Sequence, residues 1–281
     1  MENEYLITAD GQIYPLATYG AKVTGLGGVP VEYQTAQGYK QHGVTVRDFR
    51  LQSRTLSIAF TLDARGRRRL WALRDALAAA VSPARGMLTY RKVLPDGRVR
   101  EIRGWADESL SVEDVDDGCA AQVGLSLLCP DPSFVDPAWQ AVTAENESSS
   151  ALVLPFVMPD EFWFGGSSQY VVSLDYPGTW RGYPQLALHG PYDSATLSNL
   201  ATGAQLVLGR PVPESSLVRV DTTPGAVNVT RDGVSSMAEV SDGNLVDFYL
   251  APGANRLVLN GTGFNAATAL RVEYRARYIA L

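Results

Sequence analysis

Residues 54–62 (RTLSIAFTL), followed directly by residues 63–82 (DARGRRRLWALRDALAAAVS), decide the fold of the N-terminal half of the chain. The first stretch alternates apolar and small polar side chains, which predicts a half-buried β-strand. The second stretch repeats apolar residues at spacings of three and four, as an amphipathic helix does; these residues are Leu70, Leu73, Leu77 and Val81. Asp63 is the expected N-cap, so the sequence predicts a helix over about residues 64–82.

The rest of this half has the pattern of further strands. A Pro-Asp-Gly turn at residues 95–97 separates the apolar stretches 87–93 and 99–105, and the backbone preferences of these turn residues favour a hairpin. A second turn is predicted at residues 117–118, between two more alternating stretches. We therefore predict an N-terminal β-rich domain with one α-helix over residues 1–136.

The segment after residue 136 changes character. It contains the small, polar run ENESSS at residues 145–150, so we predict a linker over residues 137–150. Beyond it, turn signals recur at short intervals and no stretch has a helical period, which is typical of a β-sandwich. We predict such a sandwich over residues 151–281, which makes the chain a mainly β protein of two domains.

Composition and charge exclude several classes of protein. The 281 residues are 46% hydrophobic and 19% charged, which suits a globular chain long enough for two domains. The net charge of −6, from 24 basic and 30 acidic residues, is not that of a basic nucleic-acid binder. No stretch approaches the roughly 18 consecutive apolar residues of a membrane-spanning helix, and the polar N-terminus lacks the pattern of a secretion signal. We expect no membrane insertion.

Residues that could catalyse a reaction or hold a metal are few. The chain has only two histidines, His42 and His189, and both lie in sequence contexts that place them at the surface. Cys119 and Cys129 bracket one predicted strand, which at ~3.3 Å per residue holds them about 33 Å apart. That distance is too long for a disulfide or a shared zinc ion. We expect no enzymatic activity, no catalytic residue, no cofactor and no metal site.

An aromatic-rich region of the second half is a candidate ligand surface. Trp163 lies within it and Trp180 follows shortly afterwards. Exposed aromatic side chains on a β-sandwich can stack on sugar rings, whereas buried ones fill the core or a contact between subunits. We favour the second interpretation, and we retain Trp163 and Trp180 as candidates for surface aromatic binding.

Several sequence blocks, in this order, resemble the phage distal tail protein family. In the N-terminal half they are residues 29–39 (VPVEYQTAQGY), 43–51 (GVTVRDFRL), 54–62 and the helical stretch 70–77. In the C-terminal half they are residues 154–156 (LPF), 176–180 (YPGTW), 183–184, 190–191 and 250–255 (LAPGAN). The resemblance therefore extends over nearly the whole chain.

The resemblance implies a structural virion protein of the tail tip, synthesised in the host cytoplasm. Members of the family are similar in having an N-terminal domain that closes a hexameric ring and a C-terminal galectin-like β-sandwich. The ring joins the tail tube protein to the tail-associated hub or lysin protein of the baseplate, and some relatives also hold receptor-binding or tail fibre proteins. DNA would pass through the lumen of this homo-hexamer without specific binding.

A ring closes through a head-to-tail interface, for which an extended segment is suitable material. Residues 20–48 are rich in Gly, Gln and Tyr, and we predict that they form an arm that reaches the next subunit. The candidate subunit-interface residues are Tyr33, Tyr39, Arg47 and Phe49. Two alternatives remain: a carbohydrate-binding module that contacts the host surface, and another ring-forming tail adaptor. The second sandwich favours the distal tail protein over the other adaptors.

Overall fold

The computed structural model describes residues 3–64, 66–116, 119–148 and 168–281. The chain divides into two compact units, the first formed by Met1–Pro137 with Tyr278–Leu281 and the second by Ala138–Arg277. Strands dominate both units, and the described residues contain one α-helix. The predicted mainly β, two-domain fold class is confirmed.

The first unit is built on one large antiparallel sheet and a separate hairpin. Its elements are β1 (Asn3–Ile7), β2 (Ile13–Pro15), β3 (Lys22–Thr24), β4 (Val31–Ala36), β5 (Thr45–Leu51), β6 (Arg54–Asp63), α1 (Arg67–Ala80), β7 (Leu88–Val93), β8 (Val99–Asp116), β9 (Ala120–Cys129) and β10 (Phe134–Val135). The strand order of the sheet is β2-β1-β7-β8-β9-β6-β3. β10 pairs with β8, and also with the last strand of the chain, residues 277–278. Among the strands of the described residues, β4 pairs with β5 alone.

The core of the first unit lies on one face of β6 and β9. Alternate residues of β6 are buried, as the sequence predicts. The register places Ile58 opposite Leu125 and Phe60 opposite Val123, so the apolar side chains of the two strands share one face. All four are at least 93% buried. Each such side chain contributes ~1.5–3 kcal/mol to folding.

The helix differs from its prediction in its ends and in its buried face. It begins at Arg67, after a Gly66 cap that makes no side-chain hydrogen bond, so the predicted cap by Asp63 is wrong. Leu70 is buried, whereas Leu73 is 37% exposed. The guanidinium of Arg74 lies inward instead and pairs with Asp114 of β8. Positions 70 and 74 are four residues apart and lie on the same face of the helix. The inward face of the helix therefore contains Arg74 and not the predicted Leu73.

A buried arginine ties together segments that are distant in the sequence. The side chain of Arg54, at the start of β6, is 1% exposed. Its guanidinium donates to the carbonyl oxygens of Gly25 (2.9 Å), Gly27 (2.8 Å), Pro132 (2.9 Å) and Ile279. Burial lowers the pKa of this guanidinium, which remains charged in proteins. The segment leading into β4 is therefore fixed to the body of the first unit.

The second unit is a β-sandwich. Its strands are β11 (Gln140–Thr143), β12 (Glu145–Ser148), β13 (Ser168–Tyr176), β14 (Gln185–His189), β15 (Ser194–Asn199), β16 (Gln205–Leu208), β17 (Leu217–Asp221), β18 (Asn228–Arg231), β19 (Val234–Ser235), β20 (Val240–Asp242), β21 (Gly253–Thr262) and β22 (Ala269–Tyr274), and the chain ends with β23 (Arg277–Tyr278). One sheet has the order β11-β22-β14-β17-β18-β19 and the other β12-β13-β21-β15-β16-β20. Short 3-10 turns occur at Leu16–Tyr19, Pro83–Arg85, Met237–Glu239 and Leu245–Asp247.

Apolar side chains of both sheets meet in the sandwich core. They surround one small enclosed space, and they are Leu186, Leu188, Val218, Val220 and Leu270 of the first sheet with Leu197, Leu206, Leu208 and Leu259 of the second. Every one of them is at least 95% buried. The inward-facing positions alternate with polar positions on the outer faces, as in other sandwiches.

The predicted linker at residues 137–150 contains two strands. β11 pairs with β22 and β12 pairs with β13, and each lies at the edge of its sheet. The linker prediction is therefore wrong for residues 140–143 and 145–148. Polar residues are common on edge strands, since the edge is open to solvent. The composition of residues 145–148 (ENES) is that of an edge strand and not of a free connection.

Candidate assembly surface

The hairpin formed by β4 and β5, residues 31–51, has no core of its own. Each strand is exposed along its length except at one end. Tyr33 lies directly opposite Phe49 in the register, and their side chains are 58% and 43% exposed. A two-stranded hairpin with both faces in water is marginally stable at best. We call residues 31–51 the hairpin arm.

A β-bulge interrupts the middle of the hairpin arm. Gln34 pairs with Asp48 but Thr35 pairs with Val46, so Arg47 is an extra residue on β5. The side chain of Arg47 is exposed. A bulge increases the local twist of a strand pair and redirects the bulged side chain. Arg47 lies two residues before Phe49 on the same strand.

The tip of the hairpin arm is an ordered turn. The side chain of Gln41 accepts a hydrogen bond from the Gly38 amide (2.8 Å) and donates to Thr45 Oγ1 (2.9 Å). Gln37 Nε2 donates to the carbonyl of Gln41 (2.9 Å). Tyr39 is 93% exposed at the end of this turn, with the ammonium of Lys40 5.4 Å from its ring centroid. Local hydrogen bonds therefore fix the turn in which the Tyr39 side chain is exposed to solvent.

The root of the hairpin arm is fixed. The Gln52 amide donates to the Pro30 carbonyl (2.9 Å), which closes the two strands at their base. Gly25, whose carbonyl Arg54 holds, has a positive φ of 86°. A Cβ at this position would lie 2.3 Å from the Thr55 carbonyl oxygen. The arm is thus anchored at one end and exposed at the other.

The four candidate interface residues lie on one element, and their contact with another subunit stays a prediction. Tyr33, Tyr39, Arg47 and Phe49 all lie on the hairpin arm or its tip. Three more apolar side chains of the same segment are exposed, and these are Val31, Val44 and Val46. A cluster of exposed apolar side chains on one element marks an interaction surface more often than scattered single ones do.

A second surface lies on the outer face of β6 and β9. Its side chains are small and mostly uncharged: Thr55, Ser57, Ala59 and Thr61 on β6, with Gln122, Gly124, Ser126 and Leu128 opposite them on β9. On the neighbouring strands, Asp107 and Glu113 of β8 and Lys22 of β3 continue the same rows. We call this the β6–β9 outer face.

The aromatic candidates are not brought together in the described residues. Trp163 lies outside them. Trp180 is half-buried, and the guanidinium of Arg181 lies 5.7 Å from its ring centroid. Tyr170 and Tyr176, from the same aromatic-rich region, are buried in the sandwich.

Titratable clusters are few in the part of the chain that the structure describes. No group of three or more His, Cys, Asp or Glu side chains there has the arrangement of a metal site. Cys119 and Cys129 are free thiols, and burial raises the pKa of Cys129 to about 12. Helix α1 and the shorter helical turns of the described residues are not long and apolar enough to cross a membrane.

One solved structure of a phage tail-hub protein shares this fold. The chain is similar to the SPP1 Dit protein, described as a paradigm of the hub adsorption apparatus in phages that infect Gram-positive bacteria, with a TM-score of 0.65 at 14% identity over 98% of both chains. Structures of the phage P2 baseplate in its activated conformation, with Ca or with Sr, give TM-scores of 0.43 at 7% identity over 96% and 97% of this chain. No protein-family model and no curated protein sequence matches.

The likeness to the SPP1 Dit protein spans both units from end to end. At 14% identity it shows the fold and not the function. The distal-tail-protein resemblance that the sequence blocks predict is confirmed at this level.

Proposed function

We propose that this chain is a phage distal tail protein, a structural component that forms a hexameric ring between the tail tube and the baseplate hub. The observation that carries the proposal is the fold, which matches a Dit hub protein over 98% of both chains. The alternative of another ring-forming adaptor accounts for the first unit only. The complete second sandwich favours the distal tail protein.

The hairpin arm is the element that would join neighbouring subunits. It carries exposed apolar and aromatic side chains without a core beneath them, so a partner surface would gain stability by covering them. Its fixed root would allow one subunit to transmit its position to the next. A head-to-tail contact of this kind is heterologous, and it closes into a ring when the rotation between subunits permits.

The β6–β9 outer face has the properties required of a channel wall. Small hydroxyl and amide side chains present no cluster of cations to bind phosphates. Lys22 lies on the edge strand β3, while Asp107 and Glu113 lie on the other side of the face. With six chains of net charge −6 the ring would carry −36, which opposes adhesion of DNA during its passage.

The test is the mass and shape of the purified chain, measured by light scattering and negative-stain microscopy at micromolar concentration. A sixfold ring of about 182 kDa, six times the 30.4 kDa of one chain, is expected. A monomer or a twofold dimer across a concentration series up to ~100 μM would contradict a self-closing ring, since mass action favours assembly in that range.

The channel wall is tested separately in the same rings. A gold label attached to Ser126→Cys, in a Cys119→Ser background, is expected to fill the central hole in stained images. The same label on Tyr39→Cys serves as the comparison and is expected away from the hole. Label density at the outer rim for Ser126→Cys would assign the channel to another face.

A further inference from the structure

A hollow lies on the outer face of the β14 sheet, in the second unit and outside both surfaces described above. It has a volume of about 250 Å³. Ala187 of β14 and Ala226 of the β17–β18 loop contribute methyl groups, and polar side chains of four strands surround them. The volume lies just below the ~300–1,000 Å³ of drug-sized ligand pockets, which corresponds to a single ring-sized ligand.

The strand register arranges the charged side chains in two rows. Arg219 of β17 and Arg271 of β22 lie on either side of Ala187. In the next row on the same face, Asp221 and Glu273 lie on either side of Gln185. Adjacent strands are ~4.8 Å apart, so each pair is separated by about 10 Å between Cα atoms. Arg219, Asp221 and Glu273 line the hollow, whereas Arg271 lies beside it and pairs with Glu273.

Some of these groups are held in place and others are available. Asp221 accepts hydrogen bonds from Gln185 Nε2 (2.8 Å) and from the Thr223 amide (2.9 Å), which fixes its carboxylate. Arg271 Nε donates to Glu273 (2.7 Å), which is only partly exposed. Within the described residues, the side chains of Arg219 and Asn228 make no hydrogen bond or ion pair. The hollow thus combines fixed acceptors with uncommitted donors.

The chemistry of the hollow selects the class of ligand. Of the charged lining residues, Arg219 balances Asp221, and Arg271 beside the hollow balances Glu273 through their ion pair. Net charge therefore favours neither an anion nor a cation. Hydroxyl groups both donate and accept hydrogen bonds, and they suit a surface where carboxylate, guanidinium and amide groups alternate. The methyl groups of Ala187 and Ala226 offer apolar contact to the C–H face of a ring.

We propose that this hollow binds a neutral monosaccharide unit of a glycan. Arg219 and Asn228 would donate to ring hydroxyls, while Asp221 and Glu273 would accept from neighbouring hydroxyls. The site lies in the second unit; Trp180 does not line it, and Trp163 lies outside the described residues. Sugar binding at this site does not depend on ring assembly, so the experiments can reject one proposal without rejecting the other.

The test is saturation-transfer difference NMR of the full chain with glucose, galactose, N-acetylglucosamine and rhamnose at millimolar concentrations. We expect saturation transfer to at least one of the four sugars, with a dissociation constant in the millimolar range. Arg219→Ala and Ala226→Trp are expected to weaken it at least tenfold, because the first removes the free donor and the second fills the hollow from an exposed loop position.

Arg210→Ala, an exposed arginine outside the hollow, is the matched control and is expected to bind as the unaltered chain does. Thermal unfolding of each variant checks that the fold is kept. Absence of transfer to all four sugars would overturn the proposal. So would binding that survives both substitutions in folded protein.

Discussion

The hairpin arm and the β6–β9 pair are both antiparallel strand pairs, but they relate to the rest of the chain in opposite ways. Every second residue of β6 is buried, whereas β4 and β5 are exposed on both faces. Yet the arm carries bulky apolar side chains of the kind that are buried in β6. The comparison teaches that an alternating pattern defines a strand, while only the surrounding elements decide whether its apolar face is a core or an interface.

The two regions should therefore respond differently to substitution. Changes in the β6–β9 core or its anchors should lower the free energy of unfolding of a single chain. Changes in the hairpin arm should leave this free energy almost unchanged and act on assembly instead. Urea unfolding followed by circular dichroism measures the first quantity, at a concentration low enough that the chain is monomeric, because assembly itself adds to the apparent stability. Light scattering measures the second.

The largest loss is expected for Arg54→Met, because methionine has no hydrogen-bond donor. Four carbonyl oxygens around this buried side chain would lose their donor, and each unsatisfied group costs ~1 kcal/mol or more, so unfolding should become easier by about 4 kcal/mol. Arg210→Met, exposed and without these bonds, should change stability by less than ~0.5 kcal/mol. Equal effects of the two substitutions would show that Arg54 does not anchor the first unit.

Leu127→Ala tests the buried face of β9. The side chain is fully buried, so removing it should cost ~2–5 kcal/mol through lost burial and the cavity left behind. Leu128→Ala, the next residue on the opposite face, should cost less than half as much. A larger loss at Leu128 would mean that the two faces of β9 are assigned the wrong way round.

Gly25, which precedes the hairpin arm, and Gly43, in the turn at its tip, provide a matched pair. Gly25 and Gly43 have φ values of 86° and 80°, but a Cβ at Gly25 would clash with the Thr55 carbonyl, whereas Gly43 faces open space. Gly43→Ala should cost ~1 kcal/mol from its left-handed backbone alone. Gly25→Ala should cost at least twice as much, because the clash adds to the same backbone strain. Identical losses of stability would indicate that the backbone around Gly25 shifts and relieves the clash with the Thr55 carbonyl.

A double substitution in the arm, Tyr33→Ser with Phe49→Ser, should change the unfolding free energy by little, within ~0.5 kcal/mol per site. Both side chains are substantially exposed, so their removal opens no large cavity within the chain. The same urea titration measures this. A loss comparable to that of Leu127→Ala would show that the arm packs on its own subunit.

The last prediction concerns the reactivity of the two thiols, and it involves no change in the free energy of unfolding. Burial raises the pKa of Cys129 to about 12, so almost none of it is thiolate at pH 8. With a disulfide reagent at that pH, the partly exposed Cys119 should react and Cys129 should react only in urea. Two rapidly reacting thiols in the folded protein would contradict the burial of the end of β9.

Much of the fold could be predicted from local pattern. The alternation over residues 54–62 and the turn at 95–97 correspond to β6 and to the β7–β8 hairpin. Edge strands β11 and β12 were missed because their polar composition resembles that of a linker. The inward orientation of the Arg74 side chain could not be predicted, because the partner of its guanidinium, Asp114, is 40 residues away in the sequence.

The candidate sites divide in the same way. The sequence predicts an arm over residues 20–48 because this stretch is contiguous and rich in Gly, Gln and Tyr. The prediction is wrong for β3 (Lys22–Thr24), which pairs with β6, and the contact of the remaining segment with a neighbouring subunit stays a prediction. The hollow on the β14 sheet could not be predicted, because its side chains come from residues near 185, 219–230 and 273. Only strand pairing brings them together, and single-sequence pattern carries no information about pairing over such separations.

The central claim, that the exposed arm is completed by a neighbouring subunit, is tested most directly by comparing masses. Light scattering would be recorded side by side for the unaltered chain, for Tyr33→Ser with Phe49→Ser, and for the control Val234→Ser, which removes an exposed apolar side chain from the second unit. We predict about 182 kDa for the unaltered chain and for the control, and 30.4 kDa for the folded double variant. A double variant that still forms the 182-kDa ring would contradict the account.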